Sequence, residues 1–356
     1  MALGGVTNDP QLSERVVRVL GQVSTRQTLG LELTRLESWT IYSTRCVIMW
    51  SYNCFLTAAG TNTYLVGKVP GPFILIDTGE GKPEYIPHLK DALLSMQNAI
   101  VSDILITHKH RDHHGGLASV LRALKEMHDQ THPYRGPRLH KFPLPTGQVD
   151  DHYIQGLANS LDPHLYCSPP SPTTSSPNEV PFHPLKDAQT LECAGATLVI
   201  QHTPGHTKDS VCIHLPEENA LFTADSVLGH GTAVFEDLST YLSSLRALLS
   251  NDAQPTQLQR IYPGHGPVLD GEEATLTIQN YIDHRLEREG QLITLMRSRA
   301  ASEKGWTVKE IVDVVYPEDV RQMAQRGVLL HLDKLWRDGR VSRKEEDNKI
   351  EWHIIN

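Results

Sequence analysis

The stretch THKHRDHHGG, residues 107–116, sets His108, His110, Asp112 and His113 within six positions. It follows directly on SDILI, a short apolar run that reads as a buried strand ending at the first histidine. Imidazole nitrogen and carboxylate oxygen are the ligands that zinc accepts in hydrolytic sites. A loop at the C-terminal end of a strand lets several such side chains converge on one point. A lone His-x-His is usually a solvated loop. Three histidines and an aspartate at this spacing, followed by Gly-Gly, point to a metal centre.

On the N-terminal side, TNTYLVGKVPGPFILIDT (61–78) reads as two strands joined by a Gly/Pro turn. Residues 84–99 carry apolar positions at helical spacing, and GGLASVLRALKEMH opens a helix after its two glycines. Strand, helix, strand, helix predicts an α/β (α+β) architecture. Residues 131–188 are rich in Pro, Ser, His and Thr, and 140–188 reads as a surface loop without chemistry. Strands resume at 196–203, 211–216 and 220–225, a helix follows at EDLSTYLSSLRALLS, and QRIYPGHG reads as a short strand. Three of these segments supply partners for the histidine loop: IQHTPGHT ends near His206, ALFTAD in Asp225 and RIYPGHG near His265. Each lies beside Gly or a small residue that permits close approach.

From about residue 270 the pattern changes. ATLTIQNYIDHRLEREGQLITLMRSRA is a long amphipathic helix, two further helical segments follow, and KIEWHII is strand-like. The expectation is a large domain over 1–270 and a small helical, winged-helix-like domain over 271–356. The second should have its own core of Ile311, Val314, Val315, Leu329, Leu330, Leu332 and Trp336.

Composition limits the function classes. Of 356 residues 39% are hydrophobic and 21% charged, enough to bury a core. No run approaches the roughly 20 apolar residues of a membrane-spanning helix. A net charge of −9 argues against a nucleic-acid-coating protein. Five scattered cysteines without CxxC fit a reducing compartment, and the first residues lack the apolar stretch of a signal peptide, so the expected location is cytoplasmic.

The ordered set LIDTGEG, THKHRDHHGG, HTPGHT, FTADSV and YPGHG, spanning Asp77 to His265, resembles the metallo-β-lactamase superfamily. That resemblance implies an αββα sandwich, two mixed sheets face to face with helices outside and a metal site at one edge. It further implies two zinc ions: one held by His108, His110 and His206, the other by Asp112, His113 and His265, with Asp225 bridging. Asp77 would support the metal-binding loop without touching metal. Asp112 would be the catalytic residue, orienting the attacking hydroxide and carrying a proton to the leaving group.

Within the superfamily, SERVVRVLGQ, GTNTYLVG, FTADSVLGHGTAVFEDLSTYLSSL and YPGHGPVLDGEEATLTIQNYIDHRLERE are similar to the branch of lactamase-β-like protein 2. That branch includes the lactamase-like proteins of fungal aromatic polyketide pathways. The implied activity is thioester hydrolysis that releases a polyketide chain from its partner, an acyl carrier protein. The alternatives are a metal-dependent single-strand endoribonuclease and a glyoxalase-II-like small thioester hydrolase. Fourteen Lys and Arg against thirteen Asp and Glu from Arg285 onward leave the tail near neutral, which weighs against the RNA alternative.

One segment departs from the branch. VSTRQTLGLELTRLESWTIYSTRCVIMWSYNC, 23–54, stands where these proteins have a short Asn-Pro-Gly linker, and it shows no sustained alternation or helical stripe. We read it as translated intron. A mature transcript that retains it at full abundance would refute that reading.

Overall fold

Successive residues of NTYLV point to opposite faces of a strand, and here both faces carry large apolar side chains, Tyr64 and Val66 on one and Leu65 on the other, so the strand must be covered on two sides. The computed structural model, described over residues 12–20, 60–97, 99–128, 133–144, 152–170, 181–250, 258–299, 304–346 and 349–355, bears this out. Segment 23–54 lies outside the described residues.

The first sheet contains β1 (Val16–Leu20), β2 (Asn62–Val66), β3 (Phe73–Ile76), β4 (Val101–Ile106), β5 (Arg138–Lys141) and β6 (Phe182–Pro184), in that order across the sheet. The turn at Gly67–Gly71 makes β2 and β3 antiparallel, with Tyr64 opposite Ile76. From β3 to β6 the neighbours run parallel. The second sheet contains β7 (Thr190–Cys193), β8 (Ala196–His202), β9 (Val211–Leu215), β10 (Ala220–Ala224), β11 (Arg260–Pro263) and β12 (Leu269–Asp270). All its neighbours are antiparallel except β10 and β11.

Two apolar layers follow from the alternation. Tyr64, Val66, Ile74, Ile76 and Leu105 face the second sheet and pack with Leu198, Ile200, Ile213 and Phe222. Leu65, Phe73, Leu75, Ile104 and Ile106 face outward, under α1 (Tyr85–Ser95), α3 (Leu117–Met127) and α4 (His152–Ser160). The four-residue α2 (Arg111–His114) lies between β4 and α3. Beyond the second sheet, α5 (Leu238–Leu249) is anchored by Tyr241, whose hydroxyl donates to the Ser226 carbonyl at 2.7 Å.

The expectation of a structureless 140–188 is corrected: β5, α4 and β6 all draw residues from it. The physical reason is that β5 buries His140 and Lys141, whose polarity disguises a central strand. Each has a carboxylate partner, His140 with Asp103 at 2.6 Å and Lys141 with Asp209 at 2.8 Å.

The described chain divides into two compact units between Asp283 and His284, inside α6 (Glu272–Met296). The C-terminal unit continues with α7 (Val308–Val315), α8 (Arg321–Arg337) and a hairpin of β13 (Val341–Glu346) and β14 (Lys349–Ile354). Thr307 and Glu310 close a reciprocal cap at the start of α7. The core expected for this unit is off in phase: Ile311 and Leu332 are buried, whereas Val314, Leu329 and Trp336 are exposed. The buried face of α8 is Val328, His331, Leu332 and Leu335, a spacing of three and four residues in which a histidine occupies an apolar slot. Trp306, Val341 and the fully buried Trp352 complete the core. Among the described residues no helix is long and apolar enough to cross a membrane.

Candidate metal centre

Parallel pairing aligns the C-terminal ends of β3 with β4 and of β10 with β11, and the loops leaving these strands meet at one edge of the sandwich. Backbone bonds tie the two sheets there: Asn62 N–H to the Gly264 carbonyl at 2.7 Å and Val211 N–H to the Thr107 carbonyl at 3.1 Å. All eight residues singled out in the sequence lie at this edge. Two groups gather potential ligand atoms within 4.8 Å of one another: His108, His110, His206 and Asp225, and beside them Asp112, His113 and His265. The backbone is built for close approach. Asp77 and Ala224 both adopt left-handed φ, 60° and 45°. A Cβ on Gly264 would stand 2.5 Å from Asp225 Oδ1 and 3.0 Å from the His113 ring, so only glycine fits.

The hydrogen-bond network fixes which nitrogens carry protons. The Thr107 hydroxyl donates to Asp77 Oδ2 at 2.8 Å, so at 3.1 Å it can only accept from His108 Nδ1. His206 Nδ1 donates to the Val234 carbonyl at 2.8 Å. Both Nε2 atoms therefore present lone pairs, and they face each other at 3.2 Å. His110 Nδ1 lies 3.0 Å from the first and 2.9 Å from the second. A neutral His110 can donate one Nδ1 proton into the triangle, but taking up a further, charging proton is disfavoured at His108 and His110. Burial, then the neighbouring imidazoles, push His108 well below the usual histidine range, and His110 down to about 4. A tetrahedral ion with metal–nitrogen bonds of about 2.0–2.1 Å would hold such atoms about 3.3 Å apart. The triangle has the right size for a cation, and its donor set is one that zinc accepts.

The second group is built from charge. His113 Nδ1 donates to Asp77 Oδ2 at 2.7 Å and His265 Nδ1 to the Gly60 carbonyl at 2.9 Å, aiming both Nε2 atoms inward. They meet Asp112 Oδ2 at 3.4 and 3.1 Å, and Asp225 Oδ1 at 3.3 and 3.4 Å. Burial opposes charge on His113, but Asp112, Asp225 and Asp77 outweigh it and hold the ring well above its ordinary value. The same balance raises His265 to about 10, with Asp225 the leading carboxylate. Burial pushes Asp112 up, yet His113 and His265 hold it well below the carboxylate range. Asp225 Oδ2 also lies 3.7 Å from His206 Nε2, so this one carboxylate stands between the two groups.

Several supporting residues escaped the sequence reading. Thr61, 3% exposed, donates to Asp112 Oδ2 at 3.3 Å, and Gly60 and Asn62 beside it engage His265 and Gly264. Thr107 receives Asp77 twice, Oδ1 on its N–H and Oδ2 on its hydroxyl, both at 2.8 Å. Lys109 pairs with Glu236 at 2.7 Å. The signal available for Gly60–Asn62 was small polar residues immediately before a buried strand.

A twin-sheet sandwich with a His/Asp cluster that could hold metal at the C-terminal strand ends is the architecture of the metallo-β-lactamase hydrolases. The chain belongs to the metallo-β-lactamase superfamily, whose profile matches residues 56–265, and a β-lactamase-associated winged-helix domain matches residues 307–352. It is 37% identical over 298 residues to a β-lactamase-like protein 2 homolog of Drosophila melanogaster, covering 82% of this chain and 88% of that protein. It is 34% identical to an atrochrysone carboxyl ACP thioesterase of Aspergillus chevalieri, covering 83% and 82% of the two chains. In fold it resembles a β-lactamase domain protein from Burkholderia ambifaria, with a TM-score of 0.59 at 18% identity, over 83% of this chain and 88% of that one.

Proposed function

We propose that this chain holds two zinc ions and hydrolyses a thioester, releasing a polyketide chain from an acyl carrier protein in the cytosol. The observation that carries the metal assignment is the pair of facing lone pairs on His108 and His206, 3.2 Å apart, with both outer ring nitrogens committed to protein oxygens. His108, His110 and His206 hold one ion in this reading, Asp112, His113 and His265 the other, and Asp225 bridges. The fungal ACP thioesterases at 30–34% identity support the substrate class.

When bound, the metals supply Lewis acidity and a water that ionises near neutral pH. The chain's own residues do the rest. Asp112, with its side chain 30% exposed, and His110 are the two proposed ligands that are not fully buried. Thr61 holds its Oδ2 from behind. The Asp112 carboxylate accepts the proton of the attacking water as oxygen bonds to the thioester carbon. It returns that proton to sulfur as the carbon–sulfur bond breaks, leaving a carboxylic acid and the carrier's thiol. Asp77 keeps His113 in the tautomer that presents Nε2 to the centre.

The test compares hydrolysis of an acyl-carrier thioester, a small glutathione thioester and single-stranded RNA by the same zinc-loaded preparation. Preference for the carrier-bound thioester is the expected result. Cleavage of RNA with no thioester turnover would replace this reading with that of an endoribonuclease.

A further inference from the structure

We infer that Lys141 and Asp209 form a positioning pair that sets His206 against His108 and His110; the inference rests on the metal-binding reading above. Lys141 is 4% exposed and Asp209 fully buried, with Nζ 2.8 Å from Oδ2. Neither is among the proposed metal ligands. A buried pair of this kind repays its desolvation poorly as a stabiliser, because apolar residues of similar volume often serve as well. What it supplies here is geometry.

Asp209 is the anchor of the loop that carries His206. Its Oδ1 accepts from the Thr207 hydroxyl at 2.7 Å. Thr207 N–H donates to Ser210 Oγ at 3.1 Å, and Gly205 N–H to the Thr207 carbonyl at 3.0 Å. Within this loop, whose ends are joined by Thr203 N–H to the Ser210 carbonyl at 2.9 Å, the Asp209 carboxylate holds Thr207, the residue next to His206. Lys141 comes from the other sheet. On β5 it stands opposite Ile106 of β4, the strand that runs straight into His108. The ion pair therefore spans the two sheets at the level where the first contributes two imidazoles and the second contributes one. The triangle of 2.9–3.2 Å depends on the sheets keeping this offset. A positively charged group that slid or vanished would release the Asp209 loop, and with it His206.

The experiment titrates the full-length protein with zinc against a chromophoric chelator, and with cobalt(II) followed by its visible absorption. Lys141→Met should weaken one of the two ions by about 10–100-fold, the range for partners that orient ligands, and leave the other unchanged. The cobalt bands of that site should shift. In a His206→Ala background the same substitution should cost nothing further at that site. The double variant Lys141→Met/Asp209→Asn leaves no uncompensated buried charge. It carries the test if Lys141→Met alone fails to fold, and should show the same selective weakening. Unchanged affinity for both ions, equal weakening of both, or an undiminished effect in the His206→Ala background would each overturn the inference. A wild-type protein that binds no ion would overturn the metal reading with it. Two ions bound by wild type and variant alike would overturn the positioning role alone.

Discussion

The metal edge and the C-terminal unit both bury polar groups, and they treat them in opposite ways. In the C-terminal unit, Glu289 is 5% exposed and meets Lys334 at 2.7 Å and Arg340 at 3.0 Å. Lys334 meets Asp338 as well, at 2.6 Å. Each of these charges finds its opposite within the chain. At the metal edge every outer ring nitrogen of His108, His206, His113 and His265 is satisfied by protein oxygen, while the inner ones converge on each other or on carboxylates. An arrangement closed on itself leaves no buried charge unpaired. One that is closed outside and open within is organised for a cation.

The strongest way to break this contrast is to remove the metal. Dialysis against a chelator should abolish hydrolysis and leave the fluorescence of the buried Trp306 and Trp352 unchanged; residual activity in a metal-free sample would contradict the assignment. His108→Ala or His110→Ala should lower the zinc content below two per chain. Asp112→Asn comes next. It keeps the size of the side chain but loses the charge and the proton acceptor, and acid–base assistance alone is worth about 10²–10⁴-fold. Turnover should fall at least about a hundredfold with an unchanged melting temperature in saturating zinc. Retention of more than about a tenth of wild-type turnover would refute the proton-carrying role.

Glu289→Gln tests the other side. It leaves Arg340 without its carboxylate partner and Lys334 with only Asp338. Breaking a buried pair from one side costs about 3–5 kcal/mol, and the remaining Asp338 argues for the lower end, about 3 kcal/mol. Urea unfolding should read this loss, while zinc stoichiometry stays as in wild type. Asp77→Asn is milder in effect but acts at the metal edge. Its carboxylate holds Thr107 and His113 together, so metal affinity should drop about 10–100-fold in a competition titration.

The same contrast governs what could be read from sequence. The metal edge was legible because chemistry concentrates its residues: Asp77, His108, His110, Asp112, His113, His206, Asp225 and His265 all follow closely on apolar strands; seven of them gather as potential ligands and Asp77 bonds to His113 behind them. The strand–helix order and the small C-terminal unit also follow the alternation and helical periods, whereas the pair of mixed sheets was implied only by the resemblance to the superfamily. Where the reading failed, a buried polar residue occupied an apolar slot. His140 and Lys141 disguised β5, and His331 shifted the apparent phase of α8 toward Leu329 and Trp336. A partner distant in sequence, Asp103 or Asp209, makes such burial possible, and no local window contains it.

His331 also gives the smallest and most discriminating test. It is 3% exposed on α8, and burial, reinforced by Arg285, Arg288, Lys334 and His284, pushes its pKa down to about 3. In the unfolded chain it titrates near the ordinary value of about 6.5. Above that pH neither state carries the proton, and the stability contribution is complete. Below it the unfolded chain takes up a proton that the folded unit refuses, so stability declines from about pH 6.5 downward until the folded value near 3 is passed. One pH unit below the unfolded value this amounts to about 1.4 kcal/mol. The window between about pH 6.5 and 5 precedes most carboxylate titration, so histidine dominates it. Burial, then Arg285 and Arg288, lower His284 too, giving a slope of the same sign. Urea unfolding followed by tryptophan fluorescence at pH 7.5 and 5.5 should show the loss in wild type. His331→Leu, which keeps the slot apolar and removes the titration, should flatten most of it. An equal loss in the variant would mean that the pH sensitivity arises elsewhere, and that burying a neutral histidine in this core costs the unit nothing as the medium acidifies.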